Sequence, residues 1–256
     1  MNKPTVKKLF YCPVKSLSFN ESKSFKIIDN IGIQNDRLIA FTRGLNKKLS
    51  DEFNNSKIRN LNSFLTLKNS PYLKKYNFIF DDKKNYIKLY LNKKKLIEAD
   101  IYNLNSICKI EKFIENIDNR IKKPIFLIHN SKFPFFDTTP RISISMINIH
   151  SVKDFEKKIN KKIEYERFRG NILIDNLKPW EEFKLLKKII KIGDVNFLVD
   201  SRIPRCAATN INPTNFNLDI NLPSKLIKLY GHKDLGVYLI PQNSGTIKNN
   251  DKIIIN

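Results

Sequence analysis

The feature that most constrains this chain is its punctuation. Short apolar runs rich in Ile, Val, Leu, Phe and Tyr alternate with clusters of Asn, Asp, Lys, Gly and Pro. Runs of that length are too short for helices and suit strands that end in turns. Strands are therefore predicted at 6–11, 25–29, 38–41, 76–80, 86–91, 125–129, 141–145, 172–174, 189–192, 195–199, 236–240 and 252–255. Two pairs read as hairpins, one around Asp81-Asp82-Lys83-Lys84-Asn85 and a tighter one around Gly193-Asp194. Helical spacing is confined to few places. Ile107, Ile110, Phe113, Ile114 and Ile117 share one face over 104–117, Ser151 is placed to cap a helix over 152–158, and 60–65 reads as a short helix. The fold class expected is mixed and β-rich (α+β), with a β-barrel in the second lobe, a smaller β-rich N-terminal lobe and a few peripheral helices. The charged stretch 119–123 before Pro124 predicts a boundary, giving domains 1–120 and 121–256.

The chain of 256 residues is long enough to bury a sizeable core, and its net charge is +22. Such a field attracts nucleic acid, anionic membrane or phosphorylated ligands. The lysines are strewn through Asn- and Ile-rich sequence, as in Lys93-Lys94-Lys95, which is the pattern of a compositional bias. The arginines are fewer and clustered, as Arg167 with Arg169 and Arg202 with Arg205; their planar fork is the better clamp for phosphate. Cys12, Cys108 and Cys206 make no close pair and no zinc spacing, so no disulfide framework is expected. Pro13 and Lys15 interrupt the only short apolar run near the N-terminus, and no long apolar stretch follows. A cytoplasmic, reduced protein without a membrane span is expected.

Candidate chemistry gathers in three places. Cys206 follows Arg205 within the segment 201–213, bracketed by Pro204 and Pro213 and followed by Thr209, Asn210 and Asn212. A neighbouring guanidinium favours the thiolate, the form that attacks or binds metal; the alternative is a small buried cysteine beside a surface arginine. Lys15 and Ser16, in a polar turn after the first strand, are placed to meet an anion or else to be solvated, and Asp36-Arg37 offers a local ion pair. Alternation along Arg167-Phe168-Arg169-Gly170-Asn171 sends Arg167, Arg169 and Asn171 to one strand face, where they would bind an anion or face solvent. Ser143 and Ser145 share a face on another strand. His129, His150 and His232 lack metal-ligand spacing, and no Gly-rich phosphate loop, serine elbow or dinucleotide fingerprint is present.

In order and spacing, Cys12-Pro13-Val14-Lys15-Ser16-Leu17, Gly32 through Asp36-Arg37, Phe168-Arg169-Gly170-Asn171 and Arg205-Cys206 through Thr209 to Pro213 resemble the landmarks of the MOSC family. That family is named for the C-terminal domain of molybdenum cofactor sulfurase and includes mitochondrial amidoxime-reducing proteins and bacterial relatives. The resemblance covers almost the whole chain and implies an N-terminal MOSC-associated lobe before the MOSC barrel. It implies Cys206 as the thiolate ligand of molybdenum in a molybdenum cofactor (Mo-molybdopterin). By motif match it puts cofactor phosphate and pterin on Lys15, Ser16, Arg37, Arg169 and Ser143 or Ser145, with Asn171 and Thr209 behind them. Arg205 would tune the thiolate or face the pterin. Gly170 stands where relatives commonly carry proline, and Cys12 where they carry tyrosine.

The activity implied is reduction of small N-hydroxylated compounds such as hydroxylamines, amidoximes and N-hydroxylated nucleobases. Electrons would come from a separate donor protein, a ferredoxin, flavin reductase or cytochrome b5-like carrier, since no cysteine-rich ferredoxin segment is seen. A competing reading is a carrier of persulfide or of the cofactor, without the pyridoxal-phosphate domain of the sulfurase. A third, nucleic-acid binding, rests on charge alone and ranks last.

Overall fold

The structure, a computed structural model, describes residues 3–56, 59–136, 142 and 144–255. The chain forms two compact units, neither continuous in sequence: Met1–Phe10 with Glu21–Gln34 and Ile142–Asn256, and Tyr11–Asn20 with Asn35–Arg141. The units do not divide at one point near residue 120, because the first strand is built into the sheet of the C-terminal unit.

In that unit the strands lie in the order Ile253–Ile255, Ile189–Ile192, Val195–Pro204, Asp234–Pro241, Ile144–Asn148, Ile172–Asp175, Thr5–Tyr11 and Asn20–Ser22. Ile144–Asn148 and Ile172–Asp175 run parallel, and the helix Ile149–Ile159 supplies the crossover that parallel neighbours require. The sheet then closes on itself. Thr5 bridges Lys252, Val6 N–H donates to Asp251 O at 2.9 Å, Asn250 N–H to Val6 O at 2.8 Å and Ile253 N–H to Pro4 O at 2.8 Å. Closure pairs backbone groups that two free edges would expose. Alternation fills the inside: Val195, Phe197 and Val199 are fully buried, as are Met146, Ile172, Ile174, Val237 and Leu239. Each large side chain so buried contributes about 1.5–3 kcal/mol. Outside the barrel, Val152 and Phe155 of the crossover helix pack with Leu222 and Leu226 of the helix Leu222–Tyr230.

The other unit holds the three-stranded meander Tyr76–Asp81, Tyr86–Leu91 and Lys94–Asp100, and the antiparallel pair Ile39–Arg43 with Ile125–His129. The helix Leu104–Asn116 buries Ile110 and Ile114 in the core shared with Phe78, Leu89 and Leu127. Its N-cap is Asn103, whose side chain accepts from Ser106 N–H at 3.0 Å.

The β-rich expectation and both hairpins hold, and several local expectations do not. Ser151 is not a cap: Asn148 caps the helix Ile149–Ile159 by accepting from His150 N–H at 3.1 Å, and the Ser151 hydroxyl donates to Glu182 instead. Over 60–65 the chain makes only the one-turn 3-10 segment Leu61–Ser63. Two helices escape prediction. Lys47–Asn55 buries a single residue, Ser50, whose hydroxyl pairs with Thr42. Leu222–Tyr230 did carry terminal signals, with Asn221 as cap, proline in the first turn and Gly231 past the end.

Candidate functional site

The Cys206 loop grows from the longest strand of the barrel. Val195–Pro204 ends in a proline, and Cys206, exposed, starts the 3-10 turn Ala207–Asn210. The Cys206 carbonyl accepts from Thr209 twice, from N–H at 3.0 Å and from Oγ1–H at 2.9 Å. Thr209 is buried, so it fixes the backbone under the thiol while the thiol stays open.

Arg205 anchors the root of this loop. Its N–H donates to Lys233 O at 2.9 Å. Its buried guanidinium donates through Nε to Leu235 O at 2.8 Å, through Nη1 to Phe168 O at 2.9 Å and through Nη2 again to Leu235 O. Burial pulls its pKa down to about 10, against the attraction of Tyr238, Cys206 and Asp234, so the group is charged at neutral pH. Gly236 makes this grip possible. It adopts φ +80°, where a side chain is strained, and a Cβ there would lie 2.5 Å from Met146 O and 3.3 Å from Arg205 Nη2. Because these guanidinium bonds all end on backbone carbonyls, Arg205 holds the loop and keeps its charge beside Cys206.

The segment before the strand Ile172–Asp175 corrects a sequence expectation. Arg167, Arg169 and Asn171 do not share a strand face. Tyr165–Phe168 curls into a 3-10 turn, Arg169 is left-handed at φ +49°, and the strand begins only at Ile172. The curl sends Arg167 inward, where Nε meets Glu164 at 2.7 Å and Nη1 and Nη2 meet Asp219 at 2.7 and 2.8 Å. Nη1 also donates to Asn210 O at 3.2 Å, so Arg167 fastens the far end of the Cys206 loop. Its charge holds the Asp219 carboxyl down to about 2. Gly170 answers a packing demand: a Cβ there would lie 2.2 Å from Ile147 Cγ1, which no proline avoids.

Asn171 and Ser145 are brought together as a buried knot. Asn171 Oδ1 accepts from Ser145 N–H at 3.2 Å and from its hydroxyl at 2.8 Å, Asn171 N–H donates to Ser145 Oγ at 2.9 Å, and Nδ2 donates to Phe10 O at 3.0 Å. These bonds tie three neighbouring strands. Ser143 lies outside the described residues.

Lys15, Ser16 and Arg37 lie in the other unit. Lys15 is not solvated: only 2% exposed, it donates from Nζ to Phe135 O at 3.0 Å with the Phe64 ring 5.4 Å away. Ser16 is left-handed at φ +64°, and its Oγ accepts from Leu67 N–H at 3.2 Å. Arg37 pairs with the buried Asp36, whose other oxygen accepts from Cys12 N–H at 2.7 Å, and it lies over the Phe136 ring at 5.5 Å. Sequence reasoning missed Arg59. It donates to Phe53 O, Pro134 O and Phe133 O at 2.8, 3.1 and 2.9 Å and lies 4.2 Å over the Phe135 ring. Burial lowers its pKa to about 10. Lys15, Arg37 and Arg59 thus all bear on the segment 133–136. Nothing local in sequence marks Arg59, since two of its partners lie 74 and 75 residues away.

Among the described residues no three His, Cys, Asp or Glu side chains gather to hold a metal. Residues 137–254 match the MOSC domain. The MOSC segment contains Cys206 and its Arg205 and Arg167 fasteners, along with the Asn171 knot. Mitochondrial amidoxime reducing component 2 of Rattus norvegicus is 28% identical over 117 residues, 46% of this chain and 33% of that protein. Mitochondrial amidoxime-reducing component 1 of Homo sapiens is 27% identical over 133 residues, 47% of this chain and 38% of that protein. The chain spans under half the length of these curated relatives in the matched segments. The crystal structure of the YUAD protein from Bacillus subtilis aligns over 99% of this chain and 96% of that one, at 12% identity and a TM-score of 0.49. No helix among the described residues is long and apolar enough to cross a membrane.

Proposed function

We propose that this protein is a molybdenum-cofactor oxidoreductase that reduces small N-hydroxylated compounds, with Cys206 as the protein's ligand to the metal. The observation that carries the reading is an exposed thiol on a backbone pinned from both sides, by Thr209 on its carbonyl and by buried Arg205 before it. The donor set fits the group. Cys206 offers one soft sulfur, which suits a metal whose other ligands arrive with an organic dithiolene. When bound, the cofactor would supply two-electron oxygen-transfer chemistry. Overall, an N-hydroxyl substrate, two electrons and two protons give the amine or amidine and water.

The chain's own part is to hold and orient. Arg205 keeps a positive charge beside the thiolate. Asn171, Ser145 and Thr209 keep the strand ends and the loop backbone in place. Lys15, Ser16, Arg37 and Arg169 are assigned to the phosphate and pterin of the cofactor, and an external carrier is assigned as electron donor.

The test is elemental analysis of freshly purified protein, followed by turnover of an aromatic amidoxime with dithionite-reduced methyl viologen. Stoichiometric molybdenum and amidine formation are expected, and both should be lost in Cys206→Ser. Full metal content and activity in that variant would overturn the assignment. A persulfide on Cys206 in metal-free protein, seen by intact mass, would favour a sulfur carrier instead.

A further inference from the structure

Four half-buried rings form a cluster on the outside of the barrel unit. Trp180 lies 4.3 Å from Tyr230, 5.9 Å from Phe183 and 6.1 Å from His232, and Phe183 lies 5.6 Å from His232. The polar tips turn away and are satisfied: Trp180 Nε1 and the Tyr230 hydroxyl both donate to Asp154, at 2.8 and 2.7 Å. Two cations lie against the rings, and one of them, Lys158, also pairs with Asp154 at 3.7 Å. Exposed Arg202 sits 4.4 Å over Phe183, and Lys158 sits 4.2 Å over Tyr230. Aromatic rings and arginine in a desolvatable patch are the composition of a protein-binding hot spot.

Trp180 is also strained. It holds φ +66°, costly for a bulky side chain, and is kept there by Ser151 Oγ, which accepts from its N–H at 2.8 Å and itself donates to the fully buried Glu182. The surrounding structure thus enforces a conformation that the residue disfavours. Base stacking explains the cluster poorly, because two ring faces are already covered by the chain's own cations.

The cluster adjoins the Cys206 loop in the same unit. Arg202 stands on the strand Val195–Pro204 that leads into the loop, and Lys233, next to His232, accepts the Arg205 N–H. A partner bound here would meet positive charge close to Cys206.

We propose that this aromatic, cationic face docks an acidic protein that carries a redox group near its surface. For its purpose the inference rests on the reductase reading; the binding itself is measured independently. The cofactor-loaded full chain is titrated at low salt with two acidic probes, a [2Fe–2S] ferredoxin and a soluble cytochrome b5-type haem domain. At least one should bind, with Kd weakened about tenfold in Arg202→Glu and severalfold in Trp180→Asn, which retains a residue tolerant of left-handed backbone. Lys95→Glu, an equal charge change on an exposed side chain of the other unit, should stay within about twofold. KM for the binding probe should rise in Arg202→Glu while turnover with dithionite-reduced methyl viologen is unchanged.

The proposal is overturned if neither probe binds, if Lys95→Glu weakens binding as much as Arg202→Glu, or if the face binds phosphatidylserine vesicles and not the probes. If wild type binds a probe through this face but turns over no amidoxime with reduced methyl viologen, the reductase reading falls and the docking face stands.

Discussion

Arg205 and Arg167 are buried guanidiniums that fasten the same loop of the segment that matches the MOSC domain, one at its root and one at its far end, and they are held in opposite ways. Arg167 meets two carboxylates, so its charge is neutralised where it sits. Arg205 meets backbone carbonyls, which accept its protons without cancelling its charge. The direction of each pKa follows: ion pairing outweighs desolvation and raises Arg167, whereas burial lowers Arg205. A carboxylate-paired arginine is a fastener, whereas a carbonyl-held one is a fastener that also projects a field. Only the second is placed next to Cys206.

The largest effect is expected from breaking the carbonyl-held member. Arg205→Met leaves the Leu235 and Phe168 carbonyls without their donors, and should cost about 2–4 kcal/mol in urea unfolding. It should also change the rate at which iodoacetamide alkylates Cys206 in a Cys108→Ser background, because the loop that carries this exposed cysteine loses its anchor at the root. Unchanged alkylation would show that Arg205 does not position Cys206. Gly236→Ala attacks the same grip from the carbonyl side by combining a disfavoured φ with a contact on Met146 O, and should cost about 1–3 kcal/mol.

Arg167→Met is expected to cost less, about 1–2 kcal/mol, because Glu164 and Asp219 are partly exposed and regain water. Its signature is in pH. Asp219 titrates lower in the folded state, at about 2, than the ordinary carboxylate near 4, so it adds stability above that ordinary value and loses it as pH falls toward 2. Stability measured from pH 5 to 2 should fall less steeply in Arg167→Met than in wild type; an unchanged slope would remove the ion pair from the account. The smallest effect belongs to Thr209→Val, which loses one bond to the Cys206 carbonyl and should cost about 1 kcal/mol.

Much of the architecture was legible because strands and turns are written locally. The meander hairpin and the helix Leu104–Asn116 fall within a residue or two of their sequence spacing, since apolar period and turn residues act over a few positions. Cys206 was legible as a focus because its neighbours are polar and cationic in sequence. Alternation misled at Arg167, Arg169 and Asn171, where hydrogen bonds from Arg167 N–H to Glu164 O and from Arg169 N–H to Glu166 O curl the chain before the strand begins.

The sequence by itself determined where most strands form, which cysteine has polar and cationic neighbours and where the arginines cluster, all of which depend on near neighbours. Only the tertiary structure decided what those cations do. Leu235 and Phe168 lie 30 and 37 residues from Arg205, Asp219 lies 52 from Arg167, and the barrel closes between the two ends of the chain. Charge is a property of the residue, but whether it is neutralised or left to act depends on partners that only folding brings within reach.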